Sequence, residues 1–415
     1  MTVVQFIHGA DLHLDSPFIG LKSMPTFIWE AIYHSTFQAL TRLVDVAIEK
    51  EVDFVCLVGD IYDNDDRSVK AQAYLRNEME RLNQQEIPVY LLHGNHDYIE
   101  NQGLHLEMPE NVTIFKEHPE THWLTTKRNE KVAITGFSYT KRWVNERKIS
   151  DYPIRFAEAD YQIGLLHGFS EGLESEHGNY APFSLGELKS KQYDYWALGH
   201  IHKRQRLATT PPVIYSGNTQ GRSSKENGPK GCEWVTLTDT KEQIVFCPTA
   251  TIQWEKLVVS VKNKKTLEDV YRLIQEAIAE KKNEAYNIFL SILLEDTDEL
   301  LDGVRKKVEQ GELLEALQQI AKTKTFVWVY QVGINAEAQE TAQYMQLFPE
   351  EWQKAMAEIK QEAVFNELTN VFFDHAGVAD LLDTRDEMYR QQILKNAKQQ
   401  VQLLLGIEGS AESEN

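Results

Sequence analysis

The sequence predicts an α/β chain with two packed sheets flanked by helices, followed by a small α+β capping domain and a helical C-terminal segment. Three observations carry that expectation. Over residues 3 to 92 short apolar runs alternate with long helical ones, in the order strand, helix, strand, helix, strand that marks a parallel core. From there to residue 250 apolar runs succeed one another with few long helices between them, as in a second sheet laid on the first. Beyond residue 250 the order strand, helix, strand, helix, strand returns on a smaller scale, and after residue 335 only helical patterns remain.

Taken in order, "VVQFIH", "FVCLVG" and "IPVYLLH" read as the first three strands. Between the first two, Ile32, Leu40, Leu43, Val44, Ala47 and Ile48 recur at helical spacing and predict one helix over 28–51. The next helix, "SVKAQAYLRNEMERLNQQ", has Ser68 placed as its N-cap. "KVAITGF", "YQIGLLHG", "YDYWALGH", "PPVIYSG", "CEWVTLT" and "QIVFCPT" supply the later strands. The boundaries expected are 1–250 for the large domain, 251–335 for the capping domain and 336–415 for the helical segment, whose polar end "EGSAESEN" reads as disordered.

With 42% hydrophobic and 26% charged residues over 415 positions, the composition is that of a soluble globular protein. No apolar run is long enough to span a bilayer, and "MTVVQFIHGADLH" lacks the features of a secretory signal, so a cytoplasmic protein with no membrane role is expected. Cys56, Cys232 and Cys247 are odd in number and widely spaced, which fits isolated thiols in a reducing compartment. A formal charge of -20 repels polyanions, so any contact with nucleic acid must be local, metal-assisted or shared with a partner.

Five short motifs stand where apolar runs stop: "GADLHLD" (Asp11, His13), "VGDIYD" (Asp60, Asp63), "HGNHD" (Asn95, His96), "LLHG" (His167) and "LGHIH" (His200, His202). An aspartate after a strand commonly just caps the next helix or makes a turn, so each motif alone says little. Together they offer carboxylates, imidazoles and one amide oxygen without a thiolate, a donor set for manganese, iron or zinc. So many ligands exceed one tetrahedral site and suit two ions sharing a carboxylate, the arrangement of phosphoester hydrolysis.

The ordered set DxH, GDxxD, GNHD, His-Gly and GHxH resembles the calcineurin-like metallophosphoesterase superfamily over roughly residues 1 to 250. The opening "FIHGADLHLDSPF" and the segment "YSGNTQGR...KGCEWVTL" are similar to SbcD-like and YhaO-like DNA repair exonucleases. The resemblance implies a two-sheet metallophosphoesterase sandwich holding two divalent ions, most simply manganese. Asp11, His13 and His202 would hold the first ion, Asn95, His167 and His200 the second, and Asp60 would bridge. His96 would face the scissile phosphate and assist the leaving oxygen, Asp97 would orient His96, and Asp63 would be a supporting hydrogen-bond acceptor. The resemblance further implies DNA as substrate and a coiled-coil ATPase partner of the SbcC-like type gripped by the C-terminal helices, and it leaves room for a homodimer.

The first motif has Gly9-Ala10 where relatives often carry Ser or Thr, and no ligand position is missing. His8 and His93 are candidates to line the site. Lys203, Arg204 and Arg206 follow His202 directly and, with Arg222 and then Lys225 in the glycine-rich loop, are candidate phosphate contacts. "TKRNEK" and "TKRWVNERK" read as solvated charge. Two other readings stay open: a phosphoesterase for small phosphodiesters or phosphomonoesters, and a DNA-end-tethering scaffold with incidental activity.

Overall fold

The computed structural model describes residues 2–18, 24–63, 67–99, 105–172, 180–318 and 325–334, with a few positions between 354 and 394. In chain order the large sheets and their helices are β1 (Val3–Gly9), α1 (Thr26–Tyr33), α2 (Ser35–Glu49), β2 (Phe54–Val58), α3 (Val69–Asn83), β3 (Val89–Leu92), β4 (Val112–Ile114), β5 (Glu120–Thr125), β6 (Lys131–Gly136), β7 (Tyr161–His167), α4 (Leu185–Ser190), β8 (Tyr195–Gly199), β9 (Gln205–Thr209), β10 (Pro212–Tyr215), β11 (Gly231–Thr238) and β12 (Glu242–Pro248). They form two six-stranded sheets, β12-β11-β1-β2-β3-β4 and β5-β6-β7-β8-β10-β9. In the first, β1 to β4 run parallel and β11 and β12 extend the sheet antiparallel. In the second, β6, β7, β8 and β10 run parallel between antiparallel edges β5 and β9.

The composition of β2 explains the layering. Every residue of "FVCLV" is buried, so both faces are covered, as expected of a central parallel strand. Phe54, Cys56 and Val58 join Phe6, Tyr90, Ile163, Leu165, Tyr195 and Ala197 in the core between the sheets. Val55 and Leu57 face the other way, into a core with Phe37, Leu40, Leu43, Val44 and Ala47 of α2 and Leu75, Met79 and Leu82 of α3. Phe6 stacks on Phe54 at 4.9 Å, and Tyr195 meets Phe6 edge-on at 5.2 Å, so aromatic contacts lock one sheet to the other.

Two details differ from the sequence expectation. The helix expected over 28–51 divides into α1 and α2 at His34, where the Ser35 hydroxyl donates to the Ile32 carbonyl at 2.7 Å and competes with the helical ladder. Cys232 and Cys247 are not isolated: they are direct partners across β11 and β12, both as free buried thiols, because the strand register sets them opposite each other. The cap holds, with the Ser68 hydroxyl accepting from the Ala71 amide at 3.1 Å.

Further along run β13 (Ile252–Ser260), α5 (Leu267–Lys281), β14 (Asn287–Glu295), α6 (Asp302–Glu309), α7 (Glu312–Leu317) and β15 (Val327–Ile334), the strands in the order β13-β14-β15. The chain divides into two compact units. One comprises Met1–Leu257, Tyr271–Ile292 and Leu313–Gln331 and contains both large sheets and an aromatic cluster of Phe18, Trp254, Phe289, Phe326 and Trp328. The other comprises Val258–Val270, Leu293–Glu312 and Val332–Asn415, with Val304 and Val308 of α6 buried. The helical segment expected over 336–415 lies almost wholly outside the described residues. Among the described residues no helix is long and apolar enough to cross a membrane.

Replacing Phe6 with Ala removes the ring that meets Tyr195 of the second sheet and stacks on Phe54 of its own. Urea denaturation should show a loss of about 3–5 kcal/mol, and a loss below 1 kcal/mol would contradict this packing account.

Candidate metal centre

All five motifs leave the carboxyl ends of strands. Asp11 and His13 follow β1, Asp60 and Asp63 follow β2, Asn95 and His96 follow β3, His167 ends β7, and His200 and His202 follow β8. The first two loops are joined by backbone hydrogen bonds, Asp11 amide to Gly59 carbonyl at 3.1 Å and His13 amide to Asp60 carbonyl at 2.9 Å. Asp11, His13, Asp60 and His200 all adopt positive φ, at 51°, 45°, 49° and 99°. Such conformations cost a non-glycine residue about 1–3 kcal/mol and persist only where neighbours enforce them, typically at functional sites. Gly59 and Gly94 allow close approach, since a Cβ at either position would strike the His167 ring, and Gly59 also sits at a φ of 80°.

Among the described residues three groups of possible ligands converge, the atoms within each lying within 4.8 Å of one another: Asp11, His13, Asp60 and His202; Asp60, His167 and His200; and His13, Asp63 and His96. Asp60 belongs to the first two groups. Its Oδ2 lies 3.8 Å from His13 Nε2 and 3.4 Å from His167 Nε2, while its Oδ1 accepts from the His96 amide at 2.9 Å. Asn95 Oδ1 sits between His167 Nε2 at 3.1 Å and His200 Nδ1 at 3.2 Å. Asp11 accepts from the His200 amide at 3.0 Å. The seven expected ligands are therefore gathered as two sets around one carboxylate.

The donor chemistry fits cations. His13 Nε2 and His202 Nε2 face each other at 3.1 Å, two imidazole nitrogens turned toward a common point. On the other side, His167 Nδ1 donates to the Val58 carbonyl at 3.1 Å, which leaves Nε2 to present a lone pair beside Asn95 and Asp60. Asp11, His13, Asp60, Asn95, His167 and His200 are all buried.

Burial alone would raise the Asp60 carboxyl, but His167, His96 and His13 outweigh it and hold Asp60 well below the usual carboxylate range. Burial works against charge on His167 as well, yet Asp60 and Asp11 overcome it and push that imidazole up to about 9. Burial, reinforced by the Arg222 guanidinium, drives His13 down to about 3. In the absence of metal a proton on His167 thus balances the buried carboxylates. Because that proton and a cation compete for one lone pair, divalent-ion affinity should rise with pH until about 9, with protons released on loading. Calorimetry in buffers of different ionisation enthalpy measures this, and a pH-independent affinity without proton release would contradict it.

A second layer fixes the ligands. Glu226 Oε1 lies 2.7 Å from His202 Nδ1, and its Oε2 accepts from the Asn218 side chain at 2.8 Å and the Arg222 amide at 2.7 Å. Asp63 Oδ1 lies 3.2 Å from His13 Nδ1. The Arg222 guanidinium joins the two carboxylates, pairing with Asp63 and reaching Glu226 at 3.4 Å. Although burial favours the neutral acid, His202 and Arg222 hold Glu226 well below its ordinary range. Glu226 was not legible in the sequence: it stands 24 positions beyond His202, in a glycine-rich loop with no motif linking it to the histidine.

Several expectations need correction. Asp97 does not orient His96. Its carboxylate lies 2.9 Å from His93 Nδ1 and accepts from the Gly94 and Ile61 amides at 2.7 and 2.9 Å, whereas His96 Nδ1 lies 2.9 Å from the Asp63 carbonyl oxygen. The bend over 95–97 carries Asp97 to the Gly94 and Ile61 amides, away from His96. Arg222 is not an open phosphate contact, since two carboxylates neutralise it. Arg204 pairs with buried Glu233 and lies over the Phe246 ring, and Arg206 pairs with Glu242 at 2.8 Å, because β9 turns both toward the first sheet's acidic residues. Lys203 remains exposed. His8 is a packed core residue between Tyr195 and the Leu198 carbonyl, and His93 supports Asp97.

The family model described as calcineurin-like phosphoesterase matches residues 4–204, the stretch holding all seven expected ligand positions. A curated relative, the uncharacterized metallophosphoesterase YhaO of Bacillus subtilis, is 38% identical over 333 residues, 79% of this chain and 81% of its own length. The chain belongs to the calcineurin-like phosphoesterase family. More distantly, it is 25% identical to the DNA double-strand break repair protein Mre11 of Sulfurisphaera tokodaii, over 80% of this chain and 81% of that one. The protein of the same name from Saccharolobus solfataricus is 23% identical over 75% of this chain and 79% of its own.

Glu226→Gln keeps the shape but removes the charge that fixes His202. Metal titration should show binding weakened by about 10- to 100-fold with the fold intact by circular dichroism, and unchanged affinity would remove Glu226 from the centre.

Proposed function

We propose that this protein is a two-metal phosphodiesterase acting on DNA in repair, as an exonuclease or endonuclease subunit. The observation that carries the hydrolytic part is the sharing of buried Asp60 between two histidine-rich ligand sets. Asp11, His13, Asp60 and His202 would hold one ion, and Asp60, Asn95, His167 and His200 the other. Two divalent ions, manganese by preference, would supply a nucleophilic hydroxide near neutral pH and neutralise the phosphoryl oxygens.

The chain's own residues would do the rest. His96 follows β3 with Nδ1–H donating to the Asp63 carbonyl at 2.9 Å, which sets the ring; as the imidazolium, with a second proton on Nε2, it would give that second proton to the departing oxygen. The amide of the same residue donates to Asp60, so backbone and side chain of one position serve both the shared carboxylate and the leaving group. Glu226 and Asp63 keep His202 and His13 turned inward.

DNA as the substrate draws support from the relatives named for double-strand break repair, together with the small α+β domain proposed over 251–335. A coiled-coil ATPase of the SbcC-like type would bind through the segment 336–415, and the cytoplasm is the proposed location. One observation favours the second reading, a small phosphoester substrate. The basic residues Arg204, Arg206 and Arg222 are paired with carboxylates in a chain of charge -20, which leaves little free positive surface at those positions.

A manganese-dependent assay on end-labelled single- and double-stranded DNA, with bis-p-nitrophenyl phosphate alongside and with or without the ATPase, separates the readings. Cleavage of DNA supports the nuclease, whereas turnover of the small diester alone overturns it. His96→Asn should lower kcat by about 100- to 10,000-fold while metal content stays unchanged, and full activity would refute its role.

A further inference from the structure

The basic stretch "TKRWVNERK" carries a feature that simple solvated charge does not explain. Trp143 is 60% exposed, yet it is not loose. Its ring stacks on Tyr180 with centroids 5.2 Å apart and planes 17° apart. Tyr180 is buried and meets the ring of His200 edge-on at 5.1 Å. A continuous line of aromatic rings thus runs from a metal-centre histidine to an indole open to solvent.

The line is built to be rigid. Val144, the residue after Trp143, is buried in the core that also holds Tyr180, Ala181 and Trp196. Its carbonyl accepts from the Ala181 amide at 2.6 Å, tying the two ring-bearing segments together. The indole is therefore presented in one orientation before anything binds, and little side-chain entropy remains to be lost on binding.

The surroundings select the ligand. Lys141, Arg142, Asn145 and Glu146 are exposed and polar, so among the described residues the chain on either side of Trp143 presents charge and amide to solvent, not an apolar patch. The Arg142 guanidinium lies over the indole at 6.0 Å from its centroid, a long cation–π contact from an exposed side chain, which a base stacking on the ring would displace toward its own phosphate. A flat π-surface with a displaceable cation over it, one tyrosine away from a phosphoesterase centre, has the chemistry of a nucleotide subsite.

We propose that Trp143 is a stacking platform for the base of a nucleotide flanking the scissile phosphate, with Arg142 beside it for the adjoining backbone. This deepens and rests on the reading of the protein as a nuclease. It also answers the charge problem, because stacking gains affinity without requiring a broad basic surface. One strand must be unpaired there, since a base in a duplex has both faces covered by its neighbours.

The test is a set of single-stranded oligonucleotides in manganese, intact or abasic at each position in turn around the cut. Trp143→Ala should raise KM for the intact strand by roughly 5- to 150-fold, more than it lowers kcat, and Trp143→Phe should recover most of the loss. At one position an abasic site should cost the wild type as much as Trp143→Ala does, and the two losses should not add. Rapid mixing should quench tryptophan emission in the wild type and much less in Trp143→Phe. Unchanged KM in Trp143→Ala, or losses that add at every position, overturns the platform. If the wild type hydrolyses bis-p-nitrophenyl phosphate but no oligonucleotide, the nuclease reading falls and this inference with it, an outcome visible before any variant is made.

Discussion

The whole site depends on keeping one carboxylate, Asp60, ionised where water is excluded. Burial opposes its charge, and only His167, His96 and His13 make the ion favourable. Those partners come from strand ends in both sheets, so the charge is tolerable only if the sheets are packed with their carboxyl edges together. Phe6, Phe54 and Tyr195 provide that packing. The core between the sheets and the chemistry at their edge are in this sense one problem, and the left-handed backbone at Asp11, His13, Asp60 and His200 marks where packing forces the chain to meet it.

Much of this was legible in the sequence, for a physical reason. Ligands that close parallel strands must appear as polar residues at the ends of apolar runs, so both order and position survive in one dimension. The burial of β2 on both faces likewise shows in "FVCLV" as an unbroken apolar run. What stayed hidden involves partners distant along the chain or choices among neighbours. Nothing local tells Asp97 to turn toward His93 and not toward His96, because a turn of a few residues can present either. The basic residues after His202 could not reveal that Glu233 and Glu242 await them on strands 29 and 36 positions further on. The pairing of Cys232 with Cys247 required the register of β11 and β12.

The loop between β10 and β11 gains significance from the same comparison. It reads as a flexible glycine-rich connection, yet Asn218, Arg222 and Glu226 form its ordered frame. Glu226 and Asp63 each hold the outer nitrogen of one of two facing histidines, and Arg222 joins the two carboxylates. Mutual neutralisation lets three charged groups sit half-hidden beside the centre without leaving any one of them unpaired.

The gathering of ligands from five strand ends has a consequence for the protein as a material object. An ion held jointly by the loops after β1, β2 and β8, or after β2, β3, β7 and β8, would add a cross-link between sheets already joined by apolar packing and by hydrogen bonds such as His167 to the Val58 carbonyl. Such a clasp adds free energy in proportion to the logarithm of ion concentration over its dissociation constant. Thermal endurance of this fold would then rise with the surrounding metal supply, so a melting temperature would report on the ion as directly as an assay of chemistry.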